Sequence, residues 1–282
     1  MEGVAAPDRT IPADDLAGVV LAAGAGSRLS PLTDLLPKAL CPVGNRALVD
    51  LALDRLSMVT GSMAVNAHHF ADSMGRHLAD GWGAAVKVSV EHEEALGTAG
   101  AIGALRHWID GRPVIVVNAD GWSPTSLEPL VTDWDRSTVR VMINGDDRFG
   151  PHARIVASTL PWRIVEELDA VPSGLYEVAW RAAEAHGDLE VITHSGPFID
   201  CGTPGEYLRA NLAAVELHGS SIIADDTDID DGVEVRRSVV GPSARIRSDL
   251  VDSVVWSGQS VAPDERLVRS IRAGISVTVG PL

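Results

Sequence analysis

V-V-L-A-A-G-A-G-S-R-L-S-P-L-T-D-L-L-P-K-A-L occupies Val19–Leu40. The stretch continues an apolar run, Leu16–Ala22, of the kind that forms a strand buried on both faces. Gly24 and Gly26 follow in a turn, then Arg28, and Lys38 stands behind Pro37. A strand that empties into a glycine turn leaves backbone N–H groups free to hold phosphate. Two cations at fixed places downstream match a highly charged phosphate ligand. The stretch is not a dinucleotide fingerprint, because the third glycine of G-x-G-x-x-G is Leu29. Asp50, at the distance of a ribose-binding acid, falls inside a predicted helix. It is not a P-loop either, since no G-K-[ST] follows.

Outward from this stretch, short β-rich runs alternate with helical patterns. Strands are predicted at Leu16–Ala22, Ser62–Asn66, Ala85–Glu91, Val114–Asn118 and Val139–Ile143, with helices at Ala47–Met58, Ala71–Ala79, Ala99–Ile109 and Leu127–Asp135. This alternation predicts βαβ units, hence a Rossmann-like, mostly parallel α/β sheet with helices on both faces. Ligands of such sheets bind at the carboxyl ends of strands, which puts Gly24, Gly26, Asn118 and Asp120 on one rim. Farther on, Arg154–Leu160 reads as a strand, Trp162–Leu168 and Tyr176–His186 as helices, and Phe198–Asp200 as a strand end. Thr203–Leu217 reads as a helix capped by Thr203, with Pro204 at its first position and Glu206 completing a capping box.

After His218 the period changes. Ile223, Ile229 and Val235 recur every six residues, followed by Val240 and Ile246, then Val255, Val261 and Leu267. A period of six predicts a short parallel β-helix of hexapeptide repeats; hairpins would alternate with period two. The expected organisation is a disordered leader at 1–15, a catalytic domain at 16–219 and a repeat module at 220–282 that suits homo-oligomerisation or capping.

Composition excludes several classes. The 282-residue chain carries a net charge of −16, and its only lysines are Lys38 and Lys87. Such a surface repels nucleic acid and anionic membrane. No apolar run approaches the roughly 20 residues of a membrane span. Met1–Asp15 lacks the basic and apolar regions of a signal peptide. Two cysteines, Cys41 and Cys201, make no disulfide framework, so a cytoplasmic setting is the expectation.

Leu21-Ala22-Ala23-Gly24-Ala25-Gly26-Ser27-Arg28-Leu29-Ser30-Pro31-Leu32-Thr33 with Pro37-Lys38-Ala39-Leu40 resembles the signature of sugar-1-phosphate nucleotidylyltransferases, L-A-A-G-x-G-x-R-L-x-P-L-T and P-K-x-L. Glu94–Gly100 resembles the family's nucleobase loop. Val116–Asp120 and Phe198–Pro204 resemble the segments that supply its two metal-binding acids, with Ala119 where glycine is usual. A hexapeptide-repeat tail, in this family a left-handed β-helix, is also a common appendage.

The resemblance implies transfer of a nucleoside monophosphate from a triphosphate to a sugar 1-phosphate with loss of pyrophosphate. Reactants of like charge need neutralisation, since each like-charge pair at about 4 Å costs on the order of 4 kcal/mol at an effective dielectric near 20. The implied roles are Mg²⁺ on Asp120 and Asp200, Arg28 on the departing pyrophosphate and Lys38 on the α-phosphate. Leu21, Ala22, Ala23, Gly24 and Gly26 would hold the triphosphate, and Gly97, Thr98 and Ala99 the base. The loop pattern L-G-T-A-G is most similar to mannose-1-phosphate guanylyltransferases, which points to GTP and a mannose 1-phosphate-like hexose; uridylyl and adenylyl relatives have similar loops. One departure concerns the acceptor: the family's Glu-Lys-Pro segment is absent, and residues 144–156 contain no lysine. Arg148, Arg154 and Asn118 are the candidates for the sugar phosphate. The missing lysine also leaves open a non-catalytic regulatory subunit, against which the retained Arg28, Lys38, Asp120 and Asp200 argue.

Overall fold

Val19 and Val20, neighbours in the first strand β1 (Ala17–Leu21), are both fully buried, one in each of two separate apolar clusters. Successive strand residues point to opposite faces, so β1 lies in a sheet covered on both sides. The computed structural model describes residues 15–145 and 147–280; the expected leader, apart from Asp15, lies outside them. The sheet has seven strands in the order Leu189–His194, Val139–Asn144, Ile155–Leu160, Val114–Asn118, β1, Ser62–Ala67 and Val86–Val90. All run parallel except Ile155–Leu160, which is antiparallel to both of its neighbours.

Helices α1 (Leu48–Ser57) and α2 (Ala71–Gly81) cover one face through Val49, Leu53, Leu56, Met74 and Leu78. Helix α3 (Gly97–Ile109) covers the other through Ile102, Leu105 and Ile109, beside Leu175 and Trp180. The mostly parallel α/β sheet thus matches expectation, with differences at particular elements. The strand Leu189–His194 was not anticipated, and the expected helix Leu127–Asp135 shrinks to one turn, Glu128–Val131. Asp133 and Arg136 adopt left-handed backbone there, and the Asp135 carboxylate accepts from the Ser137 and Thr138 N–H groups, a local turn that competes with the helix. The helix Pro204–His218 forms as predicted: Thr203 Oγ1 accepts from Glu206 N–H at 3.2 Å, and Gly219 (φ 83°) ends it.

From Ile222 onward, two-residue strands stack in three parallel ladders. The first pairs Ile222–Ile223, Val239–Val240, Val254–Val255 and Ile271–Arg272. The second pairs Asp228–Ile229, Arg245–Ile246 and Ser260–Val261, and the third Val235–Arg236, Leu250–Val251 and Leu267–Val268. Val240, Ile246, Val255, Val261 and Leu267, five of the periodic positions, bury together with Ala244 and Leu250. Val239, Val254 and Ile271 instead join a cluster with Tyr207, Leu208 and Val215 of the Pro204–His218 helix. Trp256 Nε1 donates to Tyr207 Oη at 2.9 Å, and Asn45 Nδ2 to Val240 O at 2.8 Å. Among the described residues no helix is long and apolar enough to cross a membrane.

The ladders carry an internal serine column. Ser238, Ser253 and Ser270 are buried; each N–H donates to the hydroxyl one coil earlier (Ser221, Ser238, Ser253) at 3.0–3.2 Å. Each hydroxyl in turn donates to the carbonyl two residues upstream. Ser253→Ala orphans the buried Ser270 N–H, so thermal or denaturant unfolding should show a loss of about 1–3 kcal/mol. An unchanged unfolding midpoint would remove the column from the stability of the module.

Candidate active site

Beyond Leu21 the chain turns through Ala22–Gly26 over the carboxyl end of the sheet. Gly26 has φ 65°, and a Cβ there would stand 2.8 Å from Lys38 Cβ, so glycine lets the turn pack against the lysine stem. A Cβ on Gly24 would meet nothing within 4 Å. Packing therefore leaves open space over Gly24, where a ligand can approach the backbone.

Lys38 follows Pro37 in a single helical turn, Lys38–Leu40, and its side chain is 8% exposed. Its Nζ lies 2.7 Å from Asp120 Oδ2 and 3.4 Å from Asp200 Oδ1. The two acids come from chain segments 80 residues apart, brought together by a small antiparallel ribbon that pairs Gly121 with Asp200 and Trp122 with Ile199. Cys201 N–H donates to Asp120 O at 2.9 Å and locks the ribbon. Arg28, largely exposed, reaches over it with Nη2 3.9 Å from Asp200 Oδ2. Gly202 permits that approach: a Cβ there would lie 3.1 Å from Arg28 Nη2. The structure thus gathers Arg28, Lys38, Asp120 and Asp200. Beneath them Cys41 and Cys201 are fully buried, and burial pushes the Cys41 thiol up to about 12 and that of Cys201 higher still, so both are poor nucleophiles.

A cavity of about 310 Å³ opens beside this cluster. Leu21, Ala22, Ala23, Gly24, Lys38, Gly97, Thr98, Asn118 and Asp120 line it, all anticipated from sequence, together with Ala95 of the expected base loop and Asn66, which was not anticipated. Asn66 lies at the carboxyl end of the strand Ser62–Ala67 as Asn118 ends Val114–Asn118; a polar residue closing an apolar run at a sheet's carboxyl edge was the available signal. A second cavity of about 180 Å³ shares Leu21, Thr98 and Asn118 and extends to Ser158, Tyr176, Glu177 and Trp180. The Trp180 indole N–H is buried without a hydrogen-bond partner among the described residues.

Three sequence expectations change, the first at Gly26, which packs on Lys38 and lines neither cavity. Ala99 is fully buried and its N–H donates to Ser173 O at 3.0 Å, so it lines neither cavity. The glycines of the loop serve packing as well. Gly97, Gly100 and Gly103 form a stripe on α3 where Cβ atoms would stand 2.5, 2.2 and 2.4 Å from the carbonyl oxygens of Ser173, Val171 and Asp169. Arg148 and Arg154 also line neither cavity. Arg154 instead clips its own loop, donating to both oxygens of Asp147 at 2.9–3.0 Å. The bond holds the Asp147 carboxyl below its usual range and raises the guanidinium.

Asp120 and Asp200 offer hard oxygen ligands, each about 40% exposed and both within reach of one ammonium. Among the described residues no group of three or more His, Cys, Asp or Glu side chains gathers around a metal-sized site. Two carboxylates completed by phosphate oxygens and water is the donor set Mg²⁺ accepts, so the residues present fit that ion better than one needing an all-protein cage.

The nucleotidyl transferase family model matches residues 17–145. An N-acetylmuramate alpha-1-phosphate uridylyltransferase of Caulobacter vibrioides is 37% identical over 134 residues, which cover 44% of this chain and 55% of that protein. A mannose-1-phosphate guanyltransferase of Debaryomyces hansenii is 33% identical over 110 residues, 36% of this chain and 30% of that one. The chain thus spans about half or less of the length of these relatives. A putative glucose-1-phosphate thymidylyltransferase from Bacillus anthracis has a similar fold, with TM-score 0.60 and 20% identity over 71% of this chain and 95% of that one. The matched residues begin with β1 and include the glycine turn, Lys38, the α3 loop and Asp120, so the part of the chain that builds most of the site is the part similar to the nucleotidyl transferase family.

Proposed function

We propose that this chain transfers a nucleoside monophosphate from a nucleoside triphosphate to a sugar 1-phosphate. A phosphate oxygen of the acceptor bonds to the α-phosphorus while the α–β phosphoanhydride bond breaks; pyrophosphate leaves with the bonding electrons, and an NDP-sugar remains. The observation that carries this reading is the meeting of Lys38, Asp120, Asp200 and Arg28 at the mouth of a cavity walled by a glycine turn.

These groups suit a reaction run by positioning and charge neutralisation, without a protein nucleophile. Gly24 leaves its backbone open to the triphosphate. Lys38, held in a nearly buried position, places one fixed positive charge where the α-phosphate develops charge, and Arg28, exposed at the rim, faces the departing pyrophosphate. Asp120 and Asp200 would hold Mg²⁺. That ion supplies charge neutralisation and alignment of the phosphate oxygens when bound. The second cavity, contiguous at Thr98 and Asn118, suits the acceptor sugar, with Glu177 as an acceptor for hydroxyls. GTP and a mannose 1-phosphate-like hexose are the substrates proposed from the L-G-T-A-G loop. UTP is the second reading, favoured by the Caulobacter relative's name.

Pyrophosphate release with Mg²⁺, GTP, UTP, ATP or dTTP and a panel of sugar 1-phosphates tests the reading. Turnover with at least one pair is expected. Tight nucleotide binding without turnover for any pair would favour a regulatory subunit.

The proposed division is a catalytic domain at 16–219 and a repeat module at 220–282, a parallel β-helix that the three in-register ladders support, with the left-handed winding proposed from the family resemblance. Ile223 and Val268, apolar yet 40% and 42% exposed on the ladders, support a role in homo-oligomerisation. Light scattering on the full chain should then give a multiple of 29.7 kDa, reduced to that mass by Ile223→Asp with Val268→Asp. A monomeric parent chain would overturn the oligomer.

A further inference from the structure

Two loops wall the 310 Å³ cavity, the glycine turn after β1 and the segment entering α3, and a buried polar relay joins them. Ala22 N–H donates to Asn66 Oδ1 at 2.7 Å. Asn66 Nδ2 donates to Glu91 Oε1 at 2.7 Å, and Glu91 Oε2 accepts from Leu96 N–H at 2.9 Å. Asn66 is 2% and Glu91 5% exposed. Each side chain stands at the carboxyl end of its strand, so three adjacent strand ends, β1, Ser62–Ala67 and Val86–Val90, are tied in sequence to the residue preceding Gly97.

The chemistry of the relay is directional. The Asn66 amide accepts from the turn with one arm and donates to a carboxylate with the other. Glu91, with both oxygens occupied by donors, is a buried carboxylate balanced by hydrogen bonds instead of a cation. Such a carboxylate is costly to bury, and neither Asn66 nor Glu91 adds to the apolar core; what they fix is the separation of two cavity walls. Glu91 is further anchored by its own backbone, whose N–H donates to Ala67 O and whose carbonyl is 2.8 Å from His68 Nδ1.

We propose that Asn66 and Glu91 are positioning residues that set the gap between the glycine turn and the Gly97 loop, and through it the affinity and base selectivity for the nucleoside triphosphate. The proposal rests on the nucleotidyltransferase reading. It acts through backbone: Ala22 on the phosphate side and Leu96 beside Gly97 on the base side.

The relay can be reversed chemically, which supplies the test. In Asn66→Asp two carboxylates face each other. In Glu91→Gln an amide N–H₂ faces either Asn66 Nδ2 or Leu96 N–H. Each single variant breaks a link. In the double variant the carboxylate at position 66 accepts from Ala22 N–H and from the amide at position 91. The oxygen of that amide accepts from Leu96 N–H, so every link is remade with the charge moved to the other side chain. Calorimetric titration of the full chain with GTP, UTP, ATP and dTTP in the presence of Ca²⁺ measures Kd without turnover. Both single variants should weaken binding of the preferred triphosphate at least tenfold and compress the ratio of Kd values among the four. The double variant should restore both within about threefold, a coupling of the kind expected for residues in direct contact. Unchanged Kd ratios in folded single variants, or a double variant no better than the worse single one, would overturn the pair. Failure of the parent chain to bind any triphosphate, or to turn over any sugar 1-phosphate, would instead count against the transferase reading.

Discussion

Lys38→Ala is expected to lower kcat by about 10²–10³, the usual loss when one preorganised transition-state charge is removed. The size follows from burial. Lys38 is one of two lysines in a chain of net charge −16, and it is the one whose ammonium is held against two carboxylates with its side chain 8% exposed. A charge fixed in a partly dry site acts more strongly than one in water and needs no reorganisation when the phosphate moves. The same pairing makes a second, separable prediction. In the free protein the ammonium neutralises Asp120 and Asp200, so it competes with any cation that binds them. Removing it should leave the affinity for Mn²⁺, read by electron paramagnetic resonance, equal or tighter while the rate collapses. A rate within twofold of the parent would take Lys38 out of the chemistry.

The glycine turn and its cations were legible because their signal is local: an apolar run, two glycines, an arginine and a Pro-Lys step, all within Val19–Leu40. Asp120 and Asp200 were legible singly as acids ending strands. That they meet depends on the Gly121–Asp200 pairing, which no local pattern encodes. Direction is likewise absent from hydrophobic period, so Ile155–Leu160 read correctly as a strand but not as the reversed one. Leu189–His194 went unseen because it is an edge strand with Glu190, Val191 and Thr193 exposed, leaving little apolar contrast. The G-x-x-G-x-x-G of α3 misled for another reason. Small residues permit any close approach, and here the backbone of Asp169–Ser173 makes it along most of the stripe, leaving only Gly97 and Thr98 to the cavity.

Charge placement is the same story at larger scale. Arg148 and Arg154 sit in the loop where sequence proposes phosphate ligands, yet Arg154 is committed to Asp147 and neither lines the two cavities beside the cluster. Among the residues lining the two cavities Lys38 is the cation, with Arg28 at the rim. On the proposed reaction, both phosphate-bearing substrates would be neutralised largely by these two residues and by whatever Asp120 and Asp200 hold.

That dependence sets the second large effect. Asp120→Asn keeps the shape of the side chain and removes one of two oxygen anions from the proposed Mg²⁺ site. A bound divalent ion supplies several kcal/mol of charge stabilisation, and about 4 kcal/mol corresponds to roughly 10³ in rate, so kcat/KM should fall by about 10³ or more. Asp120 is about 40% exposed, and in the variant the ammonium of Lys38 keeps Asp200 as its partner at 3.4 Å; the thermal midpoint should hold within a few degrees. The readout that separates this variant from Lys38→Ala is cation binding. With Asp120 neutralised, the four-residue cluster carries a net positive charge and one carboxylate, so Mn²⁺ affinity in the presence of triphosphate should drop at least tenfold, where Lys38→Ala leaves it intact. Two variants equal in rate loss but opposite in cation affinity would assign the lysine to the phosphate and the aspartate to the metal. Equal Mn²⁺ affinity in both would show that Asp120 acts only by holding Lys38, and would move the metal site elsewhere.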